Sequence, residues 1–184
     1  NEVINNDNSV ILGIDYRFNE KWNIGASLPY VYIDRSSLYE HDRINRHHSQ
    51  SSGIGDLRII GYRSFNPGKA GSLQLGLGIK LPTGNYDFKD YFYTTDGPQL
   101  RPVDQSIQPG DGGTGVIFEA NWSKEIATNT SLYVNTMYLF NPRNTNGTRT
   151  FRETLSAVLA NEAIMSVADQ YFGRIGASYG IGHS

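Results

Sequence analysis

Apolar and polar residues alternate along seven stretches of this chain, and a period of two marks a β-strand with two unlike faces. From Ser9 to Arg17, Val10, Leu12, Ile14 and Tyr16 share one face, opposite Ile11, Gly13, Asp15 and Arg17. Past the turn residues Phe18-Asn19-Glu20-Lys21, a second run reaches Asp34 with Trp22, Ile24, Ala26, Leu28, Tyr30 and Tyr32 on its apolar side, which predicts a hairpin. A third run, Gly55 to Phe65, loses phase at Ile60-Gly61-Tyr62-Arg63, where a bulge or the strand end is expected. After the turn signal Asn66-Pro67-Gly68-Lys69 comes the clearest alternation, Leu73, Leu75, Leu77, Ile79 and Leu81 against Gln74, Gly76, Gly78 and Lys80. Runs from Val116 to Trp122 and from Leu132 to Phe140, linked through Glu125 to Asn129, precede a last run from Tyr171 to Ile181.

The stretches between these runs differ in length in a regular way. Ser36–Ser52, Thr83–Gly113 and Asn141 to about Asp169 have no period and read as long loops, with a helix favoured inside the third, over Phe151–Val167. Short and long connections alternate, so an up-and-down meander gathers the short turns at one end and the long loops at the other, as outer-membrane barrels do. A soluble barrel alternates too, but with its apolar face inward. The loop asymmetry, the strand lengths and the aromatics near strand ends (Trp22, Tyr30, Tyr32, Phe65, Trp122, Phe140) favour the membrane. The expectation is a single all-β domain over 1–184, an antiparallel up-and-down transmembrane β-barrel with one short helix in a loop. An odd strand number leaves an edge that hydrocarbon cannot satisfy, so the chain is expected to be an incomplete part of a larger barrel, truncated at its C-terminal end. It begins at Asn1 with no signal segment and is expected to be processed or a fragment.

Composition narrows the function classes. The mean hydropathy of −0.44 and the lack of a long apolar run exclude a membrane-spanning helix, whereas a membrane strand needs only about 9–11 residues with every second one apolar. A net charge of −2 supplies no basic field, which argues against nucleic acid as a partner. With no cysteine, disulfide scaffolds, thiolate metal sites and thiol nucleophiles are all excluded.

The segments WNIGASLPYVYID, SGIGDLRIIGYRSF, LQLGLGIKLPTGNYD, QPGDGGTGVIFEANWSKEI and SVADQYFGRIGASYGIG resemble a transporter-like outer-membrane barrel family, that of the meta-pathway of phenol degradation, itself similar to FadL-like channels. The resemblance runs over most of the chain. It implies a Gram-negative outer membrane and porin-like uptake of small molecules, apolar or aromatic ones among them. It also implies strands beyond Ser184, and the terminal His183-Ser184 lacks the aromatic on which many such barrels end.

With the leucine-rich faces toward lipid, Asp15, Arg17, Asp56, Arg58, Lys80, Glu119 and Arg174 are expected to line the lumen, since a cation on the lipid side at mid-membrane costs about 2–4 kcal/mol. Their mixed signs suit either a wet pathway or a salt-bridged plug. No catalytic residue, metal or cofactor is expected. His41, His47 and His48, with Glu40 and Asp42, fit no standard metal-ligand spacing and read as a solvated loop. Gly110-Asp111-Gly112-Gly113-Thr114-Gly115 lacks the lysine and following helix of a phosphate loop and reads as a flexible lead into a strand. The aromatic loop Tyr86, Phe88, Tyr91, Phe92 and Tyr93 suits either gathering of apolar ligands or a protein partner, or packing of the loop upon itself. The expected partners are therefore outer-membrane lipid, a small-molecule solute and a protein at the long loops; the alternative to passage is an accessory barrel whose loops bind that protein.

Overall fold

The computed structural model describes residues 3–66, 68–150 and 163–181. All seven alternating runs form strands: β1 (Ile4–Arg17), β2 (Trp22–Ser37), β4 (Leu57–Phe65), β5 (Ser72–Leu81), β8 (Gly115–Ala127), β9 (Thr130–Phe140) and β12 (Gln170–Tyr179). They lie side by side in chain order in one antiparallel sheet, β1-β2-β4-β5-β8-β9-β12, curled into a half-barrel. The curl brings Arg58 on β4 within 3.0 Å of Gln170 on β12, across the three strands between them. Among the described residues no helix is long and apolar enough to cross a membrane.

The turns follow the expected asymmetry. At one end lie three short links, including Asn19, whose side-chain carbonyl accepts from the Lys21 and Trp22 amides at 2.9 and 3.0 Å. Asn129, at φ 61°, closes the tight β8–β9 turn, a conformation that asparagine tolerates better than most residues. All three long connections leave the opposite end.

Side chains divide by face. On β5, Leu75, Leu77 and Ile79 are 43%, 60% and 44% exposed, while the intervening Gly76, Gly78 and Lys80 are buried. The same parity places Trp22, Ile59, Phe118 and Tyr138 on the convex side and Tyr62, Glu119 and Asn135 on the concave side. The third run, where the phase blurs, contains no bulge: β4 pairs regularly with β5 from Leu57↔Leu81 to Phe65↔Leu73. Ile60 and Tyr62 point into the concave side, where they lie over Gly78 and Gly76, and a Cβ on either glycine would come within 3 Å of them. Bulky residues on one strand thus fill space left by glycines on the next. Ile60 also packs with Ile117 and Leu139 in a small buried cluster.

The long connections carry structure of their own, which corrects their reading as plain loops. β3 (His47–Ile54) pairs with the far half of β2 from Ser37↔His47 to Tyr30↔Ile54. β6 (Lys89–Thr94) and β7 (Gly97–Pro102) form a hairpin, followed by a 3₁₀ turn at Gln105–Ile107. β10 (Thr145–Arg149) pairs with β11 (Ile164–Ser166). The helix expected over Phe151–Val167 falls largely on 151–162, outside the described residues; its last turn is corrected, because Ile164–Ser166 is strand and Met165 is fully buried. Pairing to β10 overrides the local helix preference there.

The strand packing gives a paired prediction. Gly78→Ala would set a methyl 2.4 Å from the Ile59 carbonyl oxygen and 2.6 Å from the Ile60 side chain, so it should lower stability by about 1–3 kcal/mol. Gly61→Ala meets nothing closer than 3.9 Å and should leave the denaturation midpoint unchanged or raised. Equal midpoints for the two variants would contradict this packing.

Candidate functional site

A cleft of about 370 Å³ opens on the concave side at the long-loop end, lined by Asp56, Arg58, Lys80, Gln105, Gln108, Asp111 and Gln170 together with Ile11, Ser27, Pro29, Pro109 and Gly110. Lys80 is the pivot. Its side chain is 1% exposed and its ammonium lies 3.6 Å from the Asp56 carboxylate and closer still to that of Asp111. Asp56 also accepts hydrogen bonds from the Gly84 and Asp111 amides at 3.1 and 3.2 Å, and Asp111 from the Gly113 amide at 2.8 Å. The two carboxylates therefore fold the glycine-rich segment back over the lysine. Glycine is needed at the crossing, where a Cβ on Gly84 would lie 2.7 Å from the Gly110 Cα. Arg58 stands directly opposite Lys80 in the β4–β5 register. Like charges so placed repel, and the two aspartates offset this.

Toward the short-turn end the concave side is crossed by a ladder of amides. The Gln74 amide donates to Asn23 at 3.3 Å, Asn121 to Gln74 at 3.4 Å and Asn135 to Asn121 at 2.7 Å. Arg174 donates to Asn135 at 2.9 and 3.2 Å and lies over the Tyr133 ring. Above it, the Tyr62 hydroxyl donates to Glu119 at 3.0 Å. Of the residues expected in the lumen, Arg58, Lys80, Glu119 and Arg174 thus sit on the concave side, with Asp56 at its rim. Asp15 points the same way, toward Gly25 and Tyr62, and Arg17 lies at the end of the edge strand β1. Asp111, Gln170, Tyr62, Asn121 and Asn135 were not picked out by the sequence; an aspartate within a glycine run was the available signal for the first.

The second long connection packs over the long-loop end of the concave side, against β2 and β3 and across to β11. Phe92, Val103 and Ile107 pack with Ile33 in a fully closed cluster, and the Ser51 hydroxyl donates to the Ile107 carbonyl. Arg35 chelates Glu40 at 2.6–3.0 Å and donates to Ser106 at 3.1 Å. Gln105 exchanges hydrogen bonds with Ser166 of β11 at 2.7–3.2 Å.

The histidines come from the first long connection and pack against this segment, with the His41 and His47 rings 5.1 Å apart and the His47 ring stacked on Tyr93. His47 pairs with Asp42 at 3.1 Å and His48 with Asp34 at 2.9 Å. His41, buried, stacks on Phe92; its Nδ1 accepts from the Tyr93 amide at 3.1 Å, which leaves Nε2 to donate to Ser49 at 3.3 Å. Among the described residues no three potential ligands converge as a metal site. Burial, reinforced by the neighbouring His47, pushes the His41 pKa below its ordinary value. The Asn45 and Ile44 amides hold Asp42 well below the usual carboxylate range.

No known protein-family model matches this chain, and no curated protein matches it at a significant level.

Two predictions test the site. Lys80→Met strands two carboxylates together and should cost on the order of 3 kcal/mol in a denaturant titration; adding Asp56→Asn and Asp111→Asn should recover most of that loss. A single variant as stable as wild type would refute the pivot. The second concerns pH. The folded state holds His41 below the ordinary 6.5, so the unfolded segment binds the proton more tightly, and the stabilisation present above that pH is lost as pH falls toward the lowered folded value. Protection of the Tyr93 amide from hydrogen exchange, corrected for the intrinsic rate, should fall across that window, and His41→Ala should abolish the pH dependence.

Proposed function

We propose that this chain forms part of a bacterial outer-membrane β-barrel that passes small molecules, apolar or aromatic ones among them, and that it belongs with the transporter-like barrels it resembles. The observation that carries the reading is the inverted amphipathy of the sheet: exposed leucine, isoleucine and aromatic side chains on the convex side, hydrogen-bonded polar and charged ones on the concave side. A water-soluble barrel has the opposite distribution.

Dimensions support the same reading. At roughly 3.3 Å per residue, the ten steps from Trp22 to Tyr32 on β2 cover roughly 33 Å along the strand. At a tilt of about 40° this is about 25 Å, the height of the apolar band of such barrels. The edge strands β1 and β12 do not pair with each other, so a closed wall in lipid needs further strands between them. In this reading Asp15, Arg17, Asp56, Arg58, Lys80, Glu119 and Arg174 face the lumen.

A second reading, an accessory barrel whose loops bind a protein, is favoured by one observation: the β6–β7 hairpin exposes Tyr91, Tyr93 and Leu100. Conductance separates the two. Full-length protein in a planar bilayer should conduct ions, and Arg58→Glu should shift selectivity toward cations, because lumen charges tune selectivity. A silent bilayer with correctly inserted protein would reject passage and leave the accessory reading. Insertion is checked by cysteine labelling: Leu75→Cys should react with a lipid-soluble reagent, Gln74→Cys with a water-soluble one.

A further inference from the structure

Arg63 breaks the pattern of the convex side. It faces outward on β4, directly between Trp22 of β2 and Leu75 of β5, both apolar. Its guanidinium lies 5.3 Å from the centre of the Trp22 ring and 4.9 Å from that of Phe65. Among the described residues no carboxylate lies within ion-pairing distance of it. Glu20 shares the adjacent turn with Lys21 but pairs with neither cation. The two rings fix the guanidinium in place and leave its N–H edge without an anion.

The position is specific in depth. Trp22 is the first residue of β2 and Phe65 the last of β4, so the cation sits at the short-turn end of the apolar band. There an outward arginine costs far less than at mid-membrane. Beside it opens a cleft of about 320 Å³ lined by Lys21, Arg63, Ser64, Phe65 and Asn66. A planar fork of donors, a second cation and flanking aromatic rings make a set that takes a tetrahedral phosphate at its head and acyl chains along Leu73 and Leu75.

We propose that Arg63, framed by Trp22 and Phe65 and assisted by Lys21, binds the phosphate of an anionic glycerophospholipid in the leaflet at the short-turn end. The inference rests on the membrane reading above, since only an embedded sheet brings a headgroup to this height.

The test uses the full-length protein in nanodiscs of mixed phosphatidylcholine and phosphatidylglycerol, with bound lipid read by native mass spectrometry after release. Wild type should keep phosphatidylglycerol in preference to phosphatidylcholine, and Arg63→Gln should cut that preference by about tenfold, as loss of a charge-assisted bond implies. Arg63→Lys, which keeps the charge without the fork, should retain part of it and serves if the Gln variant does not fold. Excess inorganic phosphate should not displace the lipid. Undiminished preference in a folded Arg63→Gln variant, or displacement by inorganic phosphate, overturns the site while leaving the membrane reading intact. Water-soluble labelling of Leu75→Cys in the same nanodiscs would defeat both.

Discussion

A polar interior must satisfy its own hydrogen bonds, and this constraint organises the sheet. With its apolar side chains turned outward, the half-barrel gains little from a greasy core; the Ile60, Ile117 and Leu139 cluster is small. What joins strand to strand across the concave side is instead the lateral chain of amides from Asn23 through Gln74, Asn121 and Asn135 to Arg174, and the Tyr62–Glu119 bond above it. Each member leans on the next, so removing one leaves a neighbour unpaired, which is the costly direction for a polar network. Lys80 concentrates the same logic into one group. As a buried ammonium it needs compensation; Asp56 supplies one carboxylate from just before β4, and the glycine-rich segment folds back over the sheet to bring the second, Asp111.

Bulk is distributed to permit this. Gly76 and Gly78 leave room for Tyr62 and Ile60, and Gly84 lets the chain cross Gly110 at near backbone contact. Glycine thereby sets the path of the backbone at the throat as much as charge does. The curl brings Arg58 to Gln170, so a residue near the start of one wall closes against one near the start of the last strand.

The strands of the sheet were legible because a two-sided strand writes its two faces into alternate residues, and Leu73 to Leu81 shows this without interruption. Legibility failed where that code lapses. Ile60 and Tyr62 are large and face inward, so β4 looked phase-shifted although its pairing is regular. β3 carries Ser49 and Ser51 on one side and His48 and Gln50 on the other, polar on both, and no period survives; its position depends on β2, which no local pattern reveals. The charged residues expected on the concave side could be read from parity, but their partners could not. Asp111 lies thirty-one positions from Lys80, and an aspartate in a glycine run looks locally like a turn.

The second long connection and the throat are mechanically joined, and this bears on how a solute would travel. Segment 104–111 is fastened outward to Arg35, Ser51 and Ser166 and inward, through Asp111, to Lys80. A displacement that frees this segment must break the Arg35–Asp104 ion pair, the buried Ser51–Ile107 bond and the packing of Phe92, Val103 and Ile107 on Ile33 at the outer side, or pull a carboxylate off a buried ammonium at the inner one. Each neutral bond contributes only about 0.5–1.5 kcal/mol, but the ion pair and the buried apolar side chains add to the outer fastenings, so the segment is held firmly on both sides. In the proposed barrel a solute would therefore meet a segment tied to β2, β3 and β11 on one side and to Lys80 on the other, so its path runs beside the segment, along the cleft lined by Arg58 and Gln170.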